Sequence, residues 1–171
     1  MRAFIAVDLP DEIKERIAKI QEKIPNNGVK KVEKKNLHFT LKFLGEVDAE
    51  RLEEVIQTLT LLLKSKNYHP FKVIVKGIGF FPSRDFVRVI WVGGESENRM
   101  LERLENDVDT ALVRLGFSRE VREYKPHITI ARVKRRIKLN NLYESFEGEE
   151  LGSFIVDSIV VYESVLTPKG P

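Results

Sequence analysis

The sequence predicts an α+β domain made of two similar lobes, and three observations support this prediction. Strand-like and helix-like segments follow one another along the 171 residues, with neither a nucleotide-binding glycine loop nor a Gly/Ser linker. The pattern His, apolar residue, Thr, apolar residue occurs twice, at 38–41 and at 127–130. A helix-like segment precedes each copy. We therefore expect one bilobal domain over residues 1–171 with an internal duplication.

The first half of the chain predicts two strands and two helices. The stretch "RAFIAVDL" alternates and predicts a strand that ends at Pro10. Isoleucines at helical spacing predict a helix over 11–24, and "IPNNGVKKVEKKN" predicts a polar turn region. The second strand is "LHFTLKFLG", and "DAERLEEVIQTLTLLLKS" follows as a helix with Asp48 as its N-cap.

The second half repeats this theme with more strands. "FKVIVKGIGFFP" and "DFVRVIWVGG" predict two strands joined by the turn "PSRD". A long helix is expected over 95–116, followed by the strand "KPHITIARV". "LNNLYESF" predicts a short helix, and "GSFIVDSIVVYESVL" predicts one long strand or a bent pair.

The composition excludes several kinds of site. The sequence has no cysteine, so disulfides, thiolate zinc sites and a cysteine nucleophile are excluded. The apolar run at 3–7 is too short for a signal peptide, and no segment is long and apolar enough to span a membrane. We therefore expect a cytoplasmic protein without membrane contact, and a monomer by default.

Basic residues are concentrated beside the two motifs. "VKKVEKKN" (29–36) leads into the first motif, and "ARVKRRIK" (131–138) leads out of the second. Such runs are commonly solvated loop charges. Their position beside two matching motifs instead favours a phosphate-bearing partner.

Each motif places an imidazole beside a hydroxyl, because residues two apart on a strand share a face. His38 therefore shares a face with Thr40, and His127 shares a face with Thr129. The residues expected on the opposite, core side are Phe39, Leu41, Phe43, Ile128 and Ile130. The third histidine, His69, lies outside this pattern and receives no role.

Two imidazoles on either side of one substrate suit general acid–base catalysis, since the usual pKa of histidine is about 6.5. The threonine hydroxyls can donate to the oxygens of a phosphate. A single motif of this kind is more often a buried histidine bonded to backbone. A metal site is the less favoured alternative, because the chain has no HExxH pattern and no Asp or Glu in strand register with either motif. We expect neither a metal nor a cofactor.

With these residues the chain resembles the two-histidine (2H) phosphoesterases, which carry paired His-x-Thr-x motifs. It is most similar to the LigT-like (ThpR) group, the bacterial and archaeal 2′-5′ RNA ligases or RNA 2′,3′-cyclic phosphodiesterases. "RAFIAVDLP" resembles the opening strand of that group, "RVIWVG" its middle strand and "YESVLTPKGP" its closing strand and turn. The motifs themselves lie in "LHFTLKFLG" and "YKPHITIAR".

The resemblance implies two lobes of mainly antiparallel sheet with helices outside and a positively charged cleft between them. It implies metal-independent hydrolysis of RNA 2′,3′-cyclic phosphate ends to 2′-phosphates, and reversible 2′-5′ joining of tRNA halves. Within that reaction His38 is expected as the general acid and His127 as the general base. Thr40, Thr129 and Arg132 are expected to bind the phosphate, although strict alternation would turn Arg132 away from His127.

Two alternatives remain open from the sequence. The same residues could act on another small cyclic phosphodiester, such as ADP-ribose cyclic phosphate. The protein could also be an RNA- or nucleotide-binding module without turnover, although such a module has no need of two proton-transfer groups. Candidate base-stacking aromatics are Phe80, Phe81, Phe86 and Tyr124.

Overall fold

A computed structural model describes residues 1–137, 139–146 and 148–164 of the chain. In chain order, its strands and helices are β1 (Arg2–Asp8), α1 (Asp11–Gln21), β2 (Val29–Lys31), β3 (His38–Glu46), α2 (Ala49–Ser65), β4 (Phe71–Pro82), β5 (Val87–Ser96), α3 (Met100–Leu112), β6 (His127–Val133), α4 (Asn140–Phe146), β7 (Glu150–Val156) and β8 (Val160–Ser164).

The strands form two antiparallel sheets. One sheet has three strands in the order β3-β1-β8, and the other has five in the order β2-β6-β5-β4-β7. The first motif begins β3 in the small sheet, and the second begins β6 in the large sheet. The α+β prediction is therefore confirmed, with one motif on each sheet.

Phe39 joins the two sheets through the core. Its side chain is fully buried, and its ring stacks on Phe154 of β7 with 6.5 Å between centroids. Gly94 of β5 makes room for this ring, since a Cβ there would lie 2.5 Å from the Phe39 ring. The buried apolar residues of both sheets and the helices belong to one cluster. The motif strands are thus anchored in a shared core.

Helix α1 begins where predicted and ends three residues early. The Pro10 carbonyl accepts hydrogen bonds from the backbone N–H groups of Ile13 and Lys14. The helix ends at Gln21 because Pro25 disfavours a helical conformation at Ile24, whose N–H instead bonds the Gln21 carbonyl in a tighter turn. In α2, the N-cap prediction is confirmed: the Asp48 side chain accepts a hydrogen bond from the backbone N–H of Arg51, at 2.7 Å.

Two predictions of secondary structure were wrong in part. The expected turn region contains the short strand β2, which forms through backbone pairing with β6. The expected helix over 95–116 is shorter, because β5 extends to Ser96 and α3 begins only at Met100, after two residues with positive φ at 98 and 99. For the C-terminal segment, predicted as one long strand or a bent pair, the bent pair is confirmed, with β7 in the large sheet and β8 in the small one.

The bend between β7 and β8 carries the chain from one sheet to the other, which a single long strand could not do. The end of the predicted closing strand and turn, from Val165 onward, lies outside the described residues. Within the described ranges, no helix combines the length and apolar character needed to cross a membrane.

Candidate active site

Both motifs have the predicted alternation at their start. His38 and Thr40 are half-buried while Phe39 and Leu41 are buried. The second motif repeats this order, with half-buried His127 and Thr129 alternating with buried Ile128 and Ile130. In each motif the histidine and threonine therefore share the partly open face of the strand.

Each motif strand carries a β-bulge at the third residue after its histidine. On β3, Thr40 pairs with Ala6 and Lys42 pairs with Ile5, which leaves Leu41 as the extra residue. On β6, Thr129 pairs with Trp91 and Ala131 pairs with Ile90, which leaves Ile130 as the extra residue. In the first seven residues of both strands, half-buried, buried and exposed side chains follow in the same order. The two motif strands thus correspond in conformation as well as in sequence.

The bulge brings Arg132 to the face of the second motif. Arg132 pairs with Val89, and Thr129 pairs with Trp91. Since Val89 and Trp91 are two apart on β5, their side chains share a face, and so do those of their partners. The extra residue reverses the alternation after Thr129. Arg132, five residues after His127, therefore lies on the same face as Thr129.

The same reversal explains why one core prediction was wrong. Phe43 was expected in the core but is 67% exposed. It pairs with Phe4 of β1, and the two rings are 6.2 Å apart between centroids. The Phe4 ring also stacks on the His38 imidazole. Phe43 therefore lies on the motif face of the small sheet, at the position that corresponds to Arg132 in the large one.

Both imidazoles are fixed by the same hydrogen bond. Nδ1 of His38 donates to the carbonyl of Asn36 at 2.5 Å, and Nδ1 of His127 donates to the carbonyl of Lys125 at 2.7 Å. In each case the acceptor is two residues before the histidine. A proton held on Nδ1 leaves Nε2 as the atom for proton exchange in the neutral ring.

Thr40 contacts the free nitrogen of its own motif. Nε2 of His38 lies 2.9 Å from Oγ1 of Thr40. With Nδ1 protonated and donating to Asn36, the Thr40 hydroxyl donates to Nε2 when the ring is neutral. When the ring is protonated, Nε2 becomes the donor. The hydroxyl and the imidazole can therefore exchange donor and acceptor roles at one point of the site.

Aromatic side chains surround each imidazole. The His38 ring stacks on Phe4 with centroids 4.8 Å apart, and Phe4 stacks in turn on Tyr162 of β8 at 5.3 Å. The His127 ring meets the rings of Phe81 and Trp91 edge-on, at centroid distances of 5.2 Å and 6.1 Å. These contacts limit rotation of both imidazoles.

Of the aromatics considered from the sequence, Phe81 alone contacts a motif histidine among the described ring contacts. Phe80 is buried, and Phe86 instead lies under the Arg88 guanidinium. Sequence reasoning missed Phe4 and Tyr162. Phe4 could have been found, because neighbouring residues of a strand point to opposite faces, and Ile5 points to the core. Phe4 therefore points to the partly open face.

Burial lowers the pKa of His38. Desolvation is the largest cause; the Asn36 hydrogen bond and Asp8 act in the opposite direction, and Lys14 lowers the pKa slightly further. Asp8 pairs with His38 across the sheet and forms an ion pair with Lys14, Oδ1 to Nζ at 3.0 Å. His38 is therefore neutral in the free protein at neutral pH.

The two motifs are close neighbours in space. Strands β3 and β6 belong to different sheets but pack against each other. Tyr124, just before β6, donates a hydrogen bond to the carbonyl of Thr40. A cavity of about 440 Å³ lies elsewhere, between the end of β3 and residues 116–120, and no motif histidine or threonine lines it.

Residues 1–137, 139–146 and 148–164 contain no group of three or more His, Asp or Glu side chains placed to share a metal ion. At the motifs, the donors that the structure brings together are imidazoles, hydroxyls and a guanidinium. Such groups fit an anion.

The family model described as LigT like Phosphoesterase matches two consecutive stretches of the chain, residues 7–91 and 93–171. This chain belongs to the LigT-like phosphoesterases. Each matched stretch contains one motif, and Arg132 lies in the second.

Two relatives in this LigT-like family are similar over nearly their whole length. The RNA 2′,3′-cyclic phosphodiesterase of Methanocaldococcus jannaschii is 45% identical, and the alignment covers all of this chain and 95% of the relative. The protein of the same name from Archaeoglobus fulgidus is 39% identical with the same coverage. The crystal structure of E. coli LigT complexed with 3′-AMP superposes with a TM-score of 0.78 and 31% identity, over 97% of this chain and 89% of LigT.

Proposed function

We propose that this protein hydrolyses the 2′,3′-cyclic phosphate at the end of an RNA to a 2′-phosphate. The observation that carries the proposal is the matched pair of imidazoles, each held by an Nδ1 hydrogen bond to the carbonyl two residues before it. Full-length relatives named RNA 2′,3′-cyclic phosphodiesterase support the choice of substrate. Fragments of tRNA with such ends are included in the proposal.

The reaction needs two proton transfers, one at each histidine. Nε2 of His127 accepts a proton from water while the water oxygen attacks phosphorus in line with the 3′ oxygen. The bond between phosphorus and the 3′ oxygen breaks, and His38 gives its Nε2 proton to that oxygen. The products are a 2′-phosphate and a free 3′-hydroxyl. Because one imidazole accepts the proton of water and the other protonates the leaving oxygen, we propose that the reaction needs no metal.

The substrate itself prepares His38 for its role as the acid. The lowered pKa of His38 leaves the ring neutral in the free protein. A bound phosphodiester anion favours the imidazolium, since an opposite charge within a few ångströms raises the pKa of a histidine. His38 therefore takes up its proton as the substrate binds and keeps it until the 3′ oxygen leaves.

Thr40, Thr129 and Arg132 hold the non-bridging oxygens in this proposal. The threonines lie two residues after their histidines on the same face, and the bulge at Ile130 turns Arg132 to the face of Thr129, which supports these roles. A guanidinium can donate two parallel hydrogen bonds to a phosphate, and charge that develops on its oxygens strengthens these bonds. If the 5′-hydroxyl of a second RNA replaces water, the same transfers form a 2′-5′ linkage.

We infer further that the two motif strands descend from an internal duplication within a single domain. The shared order of burial, the bulge at the same position and the same Nδ1 hydrogen bond support this inference. Phe43 and Arg132 differ at the corresponding position, as expected if one half had kept or gained the cation that binds phosphate.

The test is turnover of a short RNA that ends in a 2′,3′-cyclic phosphate, in the presence of EDTA. Wild type is expected to form the 2′-phosphate, and His38→Ala and His127→Ala are each expected to lose about 10²- to 10⁴-fold in rate. His69→Ala is the matched control, because His69 is exposed and outside both motifs. Formation of a 3′-phosphate, or full activity in either motif variant, would contradict the proposal.

A further inference from the structure

The two basic runs of the sequence meet at one edge of the large sheet. Strand β2 is the edge strand and pairs with β6, so that Lys30 lies opposite Arg132 and Lys31 opposite Ala131. The pairing continues beyond β6, where the backbone N–H of Lys134 donates to the carbonyl of Gly28 at 2.7 Å. Residues about a hundred positions apart in the chain thus form one surface.

Part of this surface continues the face of the second motif. Arg132 shares a face with Thr129 because of the bulge. Lys30 is the cross-strand partner of Arg132, and directly opposed residues of antiparallel strands point to the same side. A row of polar and cationic side chains therefore runs from Thr129 through Arg132 to Lys30. Beyond Lys30 the sheet ends, and the row reaches the rim of the molecule.

The cations at this rim have no acidic partners within the described ranges. We call Lys30, Lys31, Lys134, Arg135 and Arg136 the basic edge. None of the five forms an ion pair with a carboxylate of the described residues, whereas nearby Lys34 pairs with Glu15 and Lys35 with Glu33. The chain contains 26 acidic residues, yet 125–137 includes none of them. The positive potential of the basic edge is therefore available to a polyanion.

Gly28 makes room for the side chain of one of these residues, Arg135. Its φ of +72° favours glycine, and a Cβ at this position would lie 2.2 Å from the Cδ and Cγ atoms of Arg135. The aliphatic part of Arg135 thus lies across the Gly28 backbone. This contact places the Arg135 side chain beside the β2–β6 pair.

We propose that the basic edge binds the phosphates of the RNA strand that leads into the cyclic phosphate. The proposal rests on the proposed function and extends it: the preferred substrate is an RNA chain of several nucleotides. The terminal phosphate lies at the motifs, and the preceding phosphates pass Arg132 and Lys30 towards the rim. Contacts of this kind are independent of base sequence and weaken as salt increases.

The experiment compares an edge variant with a control of equal charge. The edge variant is Lys30→Gln/Lys134→Gln/Arg136→Gln, which leaves Arg132 and Arg135 in place. The control is Lys64→Gln/Lys66→Gln/Lys72→Gln, whose three exposed lysines lie at the end of α2 and on β4, away from the β2 edge. Binding of a roughly ten-nucleotide RNA is followed by fluorescence anisotropy at about 50 and about 200 mM salt. Turnover of this RNA with a cyclic phosphate end is compared with turnover of a 2′,3′-cyclic mononucleotide.

The edge variant is expected to bind the RNA at least tenfold more weakly at low salt than the control does. With about 0.7 counterions released per single-strand phosphate contact, the loss of three contacts lowers the salt slope by about 2. Turnover of the cyclic mononucleotide is expected to stay within about twofold of wild type, because that substrate has no further phosphates.

Three results would overturn the inference. The first is equal RNA binding by edge and control variants, which would make the effect one of net charge. The second is an equal loss on the mononucleotide, which would place the three residues in catalysis. The third is a wild type whose kcat/KM for the RNA is no higher than its kcat/KM for the cyclic mononucleotide. Absence of turnover in wild type would instead reject the proposed function, while the anisotropy comparison would still decide on the basic edge.

Discussion

The hydroxyl of Tyr124 donates a hydrogen bond to the backbone carbonyl of Thr40, with 2.7 Å between the oxygens. Tyr124 lies three residues before His127, and Thr40 lies immediately before the bulged residue Leu41. One hydrogen bond therefore connects the start of the second motif to the backbone of the first. Burial raises the pKa of Tyr124, so the phenol remains a donor throughout the neutral range.

Removing this hydroxyl is expected to slow catalysis more than it weakens binding. Tyr124→Phe leaves the Thr40 carbonyl without its donor, a loss of about 1–3 kcal/mol in the free energy of unfolding if water does not replace it. Because small displacements of catalytic groups are costly, we expect kcat to fall at least tenfold, with KM changed less than threefold. The kcat and KM values for a cyclic phosphate substrate test this expectation.

Tyr68→Phe is the matched control for Tyr124→Phe. Tyr68, which follows α2, donates to the carboxylate of Asp107 on α3, and neither residue belongs to a motif strand. We expect this variant to lose stability with kcat preserved. Equal losses of kcat in the two variants would show that Tyr124 acts through general stability alone.

The lowered pKa of His38 predicts a pH dependence of stability. The folded state holds the His38 proton less tightly than the unfolded state, in which the pKa is about 6.5. Above that pH His38 is unprotonated in both states, and it has no effect on the slope of the unfolding free energy against pH. As the pH falls below about 6.5, the unfolded state takes up the proton first and the folded state loses stability.

His38→Gln should remove this contribution. Between about pH 7.5 and about pH 5, wild type is expected to lose more unfolding free energy than His38→Gln does. Urea unfolding at both pH values measures the two differences, with His69→Gln, which replaces an exposed histidine outside both motifs, as the control. If the His38 variant loses as much unfolding free energy as wild type does, folding does not change the pKa of the imidazole.

A leaving group that needs no proton should distinguish the two histidines. In a cyclic substrate whose bridging 3′ oxygen is replaced by sulfur, the thiolate leaves without protonation, because a thiol has a pKa of about 8.5, far below that of an alcohol. His38→Ala should then recover at least tenfold of its lost rate, and His127→Ala should remain slow. Recovery in His127→Ala alone would reverse the assigned roles.

A buried ion pair behind β3 makes a prediction about stability. Nζ of Lys42 lies 2.7 Å from Oδ1 of Asp109 on α3, with side chains only 3% and 5% exposed. Lys42 also donates to the carbonyl of Ser118 at 2.9 Å. The bulge at Leu41 places Lys42 in this interior, and the pair joins β3 to α3.

Breaking one side of this pair is expected to be costly. Asp109→Ala removes the closer of two carboxylates around a buried ammonium, the other being the exposed Glu120 at 3.7 Å from Nζ, and should lower the free energy of unfolding by about 3 kcal/mol. The exposed pair between Lys76 and Glu95 is the comparison, where Glu95→Ala should cost less than about 1 kcal/mol. Urea unfolding measures both. Similar losses at the two sites would mean that solvent screens the pair between Lys42 and Asp109 as strongly as it screens the exposed pair.

The repeated motif was enough to predict the fold class and the residues that share each partly open face. A period-two pattern shows neither an extra residue nor a pairing partner, so the bulges after Thr40 and Thr129 could not be predicted from it. Phe43 was therefore placed wrongly, and Arg132 could not be placed at all. Strand β2 was missed for a related reason: "VKK" has no alternating pattern of its own and forms a strand only through bonds to β6.

The short edge strand β2 also affects how molecules of this protein meet one another. An edge strand presents unpaired backbone N–H and C=O groups that another chain could join. With three residues, two of them lysines, β2 offers few such groups and repels the same edge of a second copy. Replacing Lys30 and Lys31 with apolar β-branched residues should therefore promote aggregation by edge-to-edge strand addition.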